Sequence, residues 1–142
     1  MIWLLRHAEA EDGSPDAARP LTPHGEEQSR DAGAALKAMG VELELCLTSP
    51  RVRAEQTARL ACEILGVEVQ VDDRLSGGRF DLGELTTGFD EVMLVGHDPD
   101  FSMVVHETTG AQVRMKKGGL AGIDRGELKV LLRPRELAAM AH

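Results

Sequence analysis

Arg6 and His7 stand side by side directly after the apolar run Ile2-Trp3-Leu4-Leu5. A second histidine follows a second apolar run: Val92-Met93-Leu94-Val95 leads into Gly96-His97-Asp98-Pro99. Between them, Thr48-Ser49-Pro50-Arg51 follows a third apolar segment, Leu43 to Leu47. Each run has the length of a buried strand, and in an open α/β sheet ligands bind beyond the carboxyl ends of the strands. Three strand ends thus deliver Arg6, His7, Arg51 and His97 to one rim. Guanidinium groups match the oxygens of a phosphoryl group. A neutral imidazole attacks phosphorus, and the phosphoimidazole so formed is labile enough to be hydrolysed. One hard displacement becomes two easier ones.

Each of these residues also has a plainer explanation. Arg51 falls in the first turn of a helix, where the dipole opposes a cation. It makes sense there if an anion sits between the guanidinium and the free backbone N–H groups; otherwise it is an exposed arginine that tolerates a small penalty. A histidine at a strand end is commonly a buried, satisfied side chain. The adjacent Arg6 and the second strand-end histidine favour the nucleophile for His7. His97 then donates to the phosphoryl oxygens, Gly96 lets the backbone turn sharply, and Asp98 caps the following helix. Arg53 and Arg59 read as solvated. A metal site needs a third ligand, and His24, His106 and His142 have no spacing that supplies one. Neither a metal nor a cofactor is expected.

The elements that must hold these residues alternate. Residues 2–6 form a strand, and 10–20 are polar with Gly13, Pro15 and Pro20, hence a loop. Thr22-Pro23 opens a helix that Gly40 closes, with Ala32, Ala35, Leu36 and Met39 at helical spacing. A strand over 43–48 precedes a second cap-and-proline signal, Ser49-Pro50, and a helix ending at Gly66. Strands follow at 67–71 and 92–95, separated by a glycine-rich stretch, 72–91, with one short helix. Asp98-Pro99 opens a helix to about Thr109. Residues 120–123 and 128–132 form a hairpin, and a short helix begins at Pro134. The alternation predicts an α/β fold: a three-layer sandwich whose mostly parallel central sheet is covered on both faces, with one antiparallel edge strand from the hairpin.

Composition narrows the function. The 142 residues suffice for one domain with a proper core. Net charge is −8, which argues against nucleic acid, and no apolar run approaches a membrane span. An acidic chain that concentrates cations at its strand ends is holding a specific anion there. The strand at the very start leaves no room for a signal peptide. Cys46 and Cys62 are isolated and apolar in context, as in a reduced cytoplasmic protein.

Four segments taken together resemble the histidine phosphatase superfamily, which has the phosphoglycerate mutase-like fold. They are Arg6-His7-Ala8-Glu9, Leu21-Thr22-Pro23-His24-Gly25, the run Ser49-Pro50-Arg51-Val52-Arg53-Ala54-Glu55-Gln56-Thr57-Ala58, and Val95-Gly96-His97-Asp98-Pro99. Order and spacing match from residue 2 to about 132. The short length and the last motif are similar to the small phosphohistidine phosphatase, SixA-like branch. The resemblance implies a single histidine phosphatase domain over 1–142, with His7 as nucleophile and Arg6, Arg51 and His97 as the phosphate pocket. It implies a phosphorylated protein, carrying phosphohistidine, as partner. The mutase branch carries a proton-donating Glu after its third strand, and Leu75 to Glu84 does not reproduce that run. Asp81 and Glu84 are the carboxylates in roughly the right place. A phosphohistidine nitrogen leaves more easily than an alkoxide, so the donor is dispensable for that substrate. The short 72–91 segment predicts an open pocket without a lid, suited to a side chain on another protein. Lys116 and Lys117 belong to its rim or to a solvated turn. Two alternatives remain: a small-molecule phosphomonoesterase of the same fold using Asp81 or Glu84 as acid, and a phosphate-binding module without turnover.

Overall fold

The computed structural model describes residues 1–142. Six strands form one sheet: β1 (Ile2–Arg6), β2 (Leu45–Thr48), β3 (Val69–Val71), β4 (Val92–Gly96), β5 (Leu120–Asp124) and β6 (Glu127–Leu132), in the order β3-β2-β4-β1-β5-β6. The pairs β3–β2, β2–β4 and β4–β1 are parallel, while β1–β5 and β5–β6 are antiparallel. The hairpin therefore supplies a strand of opposite sense, but not at the edge. β5 is the reversed strand and lies one place in; β6 turns back, runs with the others and forms the border. The reason is that β5 pairs directly with the buried β1, from Ile2↔Ile123 to Leu5↔Leu120.

Alternation along the strands builds two cores. Trp3, Leu5, Cys46, Met93, Val95 and Leu120 face one side, where helices α1 (Pro23–Ala38), α2 (Val52–Leu65) and α5 (Pro134–Ala141) cover them. Ala32 and Ala35 of α1 and Ala54, Ala58 and Ala61 of α2 are all buried there. Leu4, Leu45, Leu47, Val92, Leu94 and Ala121 face the other side, under α3 (Leu82–Thr86) and α4 (Asp100–Thr109). This is the expected three-layer sandwich.

Local chemistry sets the helix starts near the rim. Thr22 Oγ1 accepts from Gly25 N at 2.9 Å, so the Thr-Pro signal caps α1 as read from the sequence. Gly25 is required by proximity: a Cβ there would lie 2.0 Å from the Glu9 carbonyl oxygen. The second cap signal starts its helix later. Ser49 Oγ accepts from Arg51 N, Arg51 is the N-cap, and α2 begins at Val52. The backbone of the loop after His7 is held by the same segments: Glu9 N donates to Gln28 Oε1, Leu21 N to Gln56 Oε1 and Ala8 N to Thr57 Oγ1. No helix is long and apolar enough to cross a membrane.

Candidate active site

The carboxyl ends of β1, β2 and β4 lie side by side in the middle of the sheet. Arg6 pairs with Gly96, and Thr48 with Val95. The residues just beyond them therefore emerge together. Arg6, His7, Arg51 and His97 all line one cavity of about 370 Å³. None of its lining residues is hydrophobic. Arg6, Arg19, Arg51, Arg53 and Lys117 supply five cations against the carboxylates of Asp98 and Asp100. A chain of net charge −8 thus keeps a locally positive bowl at its strand ends.

His7 is 6% exposed. Its Nδ1 lies 2.8 Å from the Ala8 carbonyl oxygen, which only accepts, so Nδ1 carries the proton and Nε2 keeps its lone pair. The backbone on both sides is pinned: His7 N donates to Gly96 O, and Gly118 N donates to His7 O at 2.9 Å. Burial pushes the imidazole down to about 4, opposed by the Ala8 hydrogen bond and helped by the nearby Arg53, Arg6 and Lys117. The ring is neutral at physiological pH, the form a nucleophile needs.

His97 is 7% exposed and lies with its ring centroid 5.3 Å from that of His7. Its Nε2 is 2.7 Å from Ser49 Oγ. With the hydroxyl donating to Nε2, the ring proton sits on Nδ1, which is buried and has no protein partner. Burial first, then His7, Arg53 and Arg51, push this imidazole down to about 3. Gly96 does not make the sharp turn expected of it, since its φ is not positive. It is needed for space: a Cβ would come within 2.9 Å of Phe101 Cζ. Asp98 accepts from Ser102 N at 2.9 Å and Ser102 Oγ at 2.6 Å, so it does satisfy the first turn of α4.

Arg6 is anchored by Nη1 donating to Met115 O at 2.7 Å, and its guanidinium is held below its ordinary range by burial. Arg51 donates from Nε to Ser76 O and from Nη1 to Asp16 Oδ2, at 2.7 and 2.6 Å. Arg53, expected to be solvated, is instead 6% exposed and part of the lining. The helix starts two residues later than the cap signal suggests, which turns Arg53 inward beneath the loop. Its Nη1 and Nη2 donate to Asp16 O and Asp16 Oδ2. The Nε atoms of Arg6 and Arg53, like His97 Nδ1, are buried without a protein acceptor. Unpaired buried donors are costly, about 1–3 kcal/mol each, and an oxyanion is the group that offers them acceptors.

Asp81 and Glu84 are not brought to this cavity. Asp81 Oδ1 caps α3 by accepting from Glu84 N at 3.1 Å, and Asp81 lines a separate hollow with Phe80 and Val104. The carboxylates that do reach the bowl are Asp98 and Asp100. Lys117 reaches it too, whereas Lys116 does not line it. Arg53, Ser49 and Asp100 are the functional candidates the sequence did not single out. No group of three or more His, Cys, Asp or Glu side chains is gathered as a metal site.

The chain is similar in sequence and fold to several known proteins. The family model of the histidine phosphatase superfamily, branch 1, matches residues 2–97. An uncharacterized protein of a Picosynechococcus species is 32% identical over 145 residues, covering 91% of this chain and 87% of that one. Phosphohistidine phosphatase SixA of Escherichia coli is 44% identical over 57 residues, 39% of this chain and 35% of its own. The solved structure of the protein histidine phosphatase SixA complexed with tungstate superposes with a TM-score of 0.82 at 28% identity, covering 96% of this chain and 98% of that one.

Proposed function

The chain belongs to the histidine phosphatase superfamily, branch 1, and is a phosphatase; we propose that it works without a metal, through a phosphohistidine on His7, and that its substrate is phosphohistidine on a protein. The observation that carries the mechanism is the 2.8 Å contact of His7 Nδ1 with the Ala8 carbonyl oxygen, an acceptor that calls for the ring proton on Nδ1 and leaves Nε2 free. Nε2 attacks phosphorus, the bond from phosphorus to the leaving atom breaks, and its electron pair departs with the leaving group, which takes up a proton. Water then attacks the phosphorus on Nε2, releasing inorganic phosphate and restoring the neutral ring. While Nε2 carries the phosphoryl group the ring is cationic, and Nδ1–H to the carbonyl stabilises it. Arg6, Arg51 and Arg53 neutralise the oxygens, charges set in place before the reaction, and the neutral His97 donates a hydrogen bond from Nδ1. Burial of Arg53 makes it the inner of the two α2-end arginines and Arg51 the outer.

Two features support the substrate class. The bowl has no apolar wall to grip an organic leaving group. The stretch between β3 and β4 holds only a 3-10 turn, Asp73–Leu75, and the five-residue α3, too little for a lid. A phosphorylated side chain on a protein surface fits such a site, and the neighbours named SixA are described as phosphohistidine phosphatases. We read residues 1–142 as one histidine phosphatase domain, and the free, buried Cys46 and Cys62 support a reducing, cytoplasmic setting. One observation favours a small-molecule phosphomonoesterase as second reading. Asp100 lines the bowl and burial raises its carboxyl above the usual range, as a proton donor requires.

Labelled substrate and a rapid acid-free quench test the mechanism. Wild-type protein should carry label on His7, and His7→Ala should be folded, unlabelled and inactive. Near-normal turnover by His7→Ala would overturn it.

A further inference from the structure

The geometry points to Asp16 as the positioning residue of the phosphoryl pocket: one carboxylate holds Arg51 and Arg53 at the spacing at which both can engage the same oxyanion. The inference rests on the reading of that bowl as the phosphoryl site.

Asp16 opens a 3-10 turn, Asp16–Ala18, inside the polar loop between β1 and α1. Nothing apolar holds it, since no residue of that turn is buried. What holds it is three guanidinium groups. Asp16 Oδ2 accepts from Arg51 Nη1 at 2.6 Å and from Arg53 Nη2 at 3.1 Å. Its other oxygen, Oδ1, accepts from Arg19 Nη1 at 3.0 Å, and its backbone carbonyl accepts from Arg53 Nη1 at 2.9 Å. Arg19 is itself tied to the loop through Nε and Glu11 O, at 2.8 Å.

Two guanidinium groups sharing one oxygen would repel one another without it. Arg53 is buried and needs a counter-charge; Arg51 is a third exposed and needs a fixed direction. Asp16 meets both needs from outside the bowl, because it is not among the lining residues. It therefore does not occupy the place of the phosphoryl group. Arg51 spends Nε on Ser76 O and one N–H of Nη1 on Asp16, which leaves Nη2 and the second Nη1 hydrogen free. Arg53 likewise keeps Nε and one hydrogen on each Nη. The carboxylate thus orients both forks and leaves donors on each for substrate. The hydrogen bonds from Arg19 first and then Arg53 hold the Asp16 carboxyl below its usual range.

Arginine contacts to a transferring phosphoryl group exist before and during its transfer, so weakening their placement should act mainly on KM. Asp16→Asn keeps the size and loses the charge; Asp16→Glu keeps the charge on a longer stem. The probes are tungstate, measured by titration calorimetry, and an aryl phosphate, measured by turnover. Asp16→Asn should raise the tungstate Kd and the aryl phosphate KM on the order of tenfold, below the roughly 100-fold that a 1 Å misplacement causes. kcat should change much less, and Asp16→Glu should recover part of the loss. In an Arg53→Ala background, Asp16→Asn should cost clearly less than it does in the wild type, because only its hold on Arg51 is left to lose. Tighter tungstate binding by Asp16→Asn would make Asp16 a competitor of the phosphoryl group and overturn the proposal. So would unchanged KM and Kd, additive losses in the double variant, or a loss explained by a fallen Tm that Asp16→Glu shares. If wild-type protein binds tungstate and turns over while Asp16→Asn equals it, only this inference fails. If wild-type protein does neither, the reading of the bowl fails with it.

Discussion

The rings of His7 and His97 lie 5.3 Å apart, centroid to centroid, at an interplanar angle of 54°, each delivered by a neighbouring parallel strand. Two imidazolium cations at that distance, ringed by arginines, would repel strongly, and burial already disfavours either charge. The pair is therefore neutral. Ring-proton NMR should show His7 titrating near 4 and His97 near 3 rather than at 6.5. In His7→Ala the His97 midpoint should rise, since His7 is the second cause of its depression. A wild-type His7 midpoint above 7 would leave the ring mostly charged at neutral pH and remove the basis for a neutral nucleophile.

The same pair sets a pH dependence of stability. In the unfolded chain a histidine takes up a proton near 6.5; in the fold His7 and His97 resist until about 4 and 3. Below 6.5 the unfolded state therefore binds more protons, and stability falls as pH falls. The window runs from 6.5 down to the folded values, with a slope of at most about 1.4 kcal/mol per pH unit for each histidine. Urea unfolding between pH 7 and pH 4 measures it. His7→Asn should flatten the slope; an unchanged slope would assign the acid sensitivity to other groups.

Arg53 separates from Arg51 in consequence. Arg53 is 7% exposed at its side chain and Arg51 34%. Lysine cannot reproduce a planar fork. Arg53→Lys should lose activity on the order of tenfold or more, the worth of a charged hydrogen bond of about 1.5–3 kcal/mol. Arg51→Lys should lose less, because Arg51 stands at the mouth, where water screens its charge. Equal kcat/KM losses in the two variants would refute the inner and outer assignment.

What the sequence shows and what it hides has a physical pattern here. Arg6, His7 and His97 are legible because a strand end fixes where the next residue goes, and parallel neighbours put those ends together. Arg53 is not legible, because its direction depends on where α2 starts, and Ser49 is drawn off to Arg51 N and His97 Nε2 instead of capping the helix. Asp16 lies in a polar loop, 35 and 37 residues from the arginines it bridges, and no local spacing announces such a pairing. Asp81 and Glu84 are suggested only by their distance from β3 along the chain. The glycine-rich segment around them has no period; it sets Asp81 at the N-cap of α3 against a different hollow and leaves Glu84 outside the bowl. Asp100, on a helix that the Asp98-Pro99 signal announces, reaches the bowl because α4 starts right behind His97.

The leaving group decides between the two substrate readings. With Asp81 and Glu84 outside the bowl, Asp81→Asn and Glu84→Gln should leave turnover of every substrate nearly unchanged. Asp98 is committed to Ser102, so Asp100 is the carboxylate in the bowl with an oxygen to spare: Gly78 N reaches only Oδ2, at 3.1 Å. A phosphohistidine leaves through a ring nitrogen and needs little help, an aryl oxide needs some, and an alkoxide needs a full proton. kcat/KM should therefore fall in the order phosphoramidate or phosphohistidine, aryl phosphate, alkyl phosphate, for wild-type protein. Asp100→Asn should scarcely affect the first and should steepen the fall across the series if Asp100 serves the slower substrates. If alkyl phosphates are instead the best substrates and Asp100→Asn abolishes their cleavage while sparing phosphoramidate, the enzyme is a phosphomonoesterase with Asp100 as its acid, and the protein phosphohistidine reading falls.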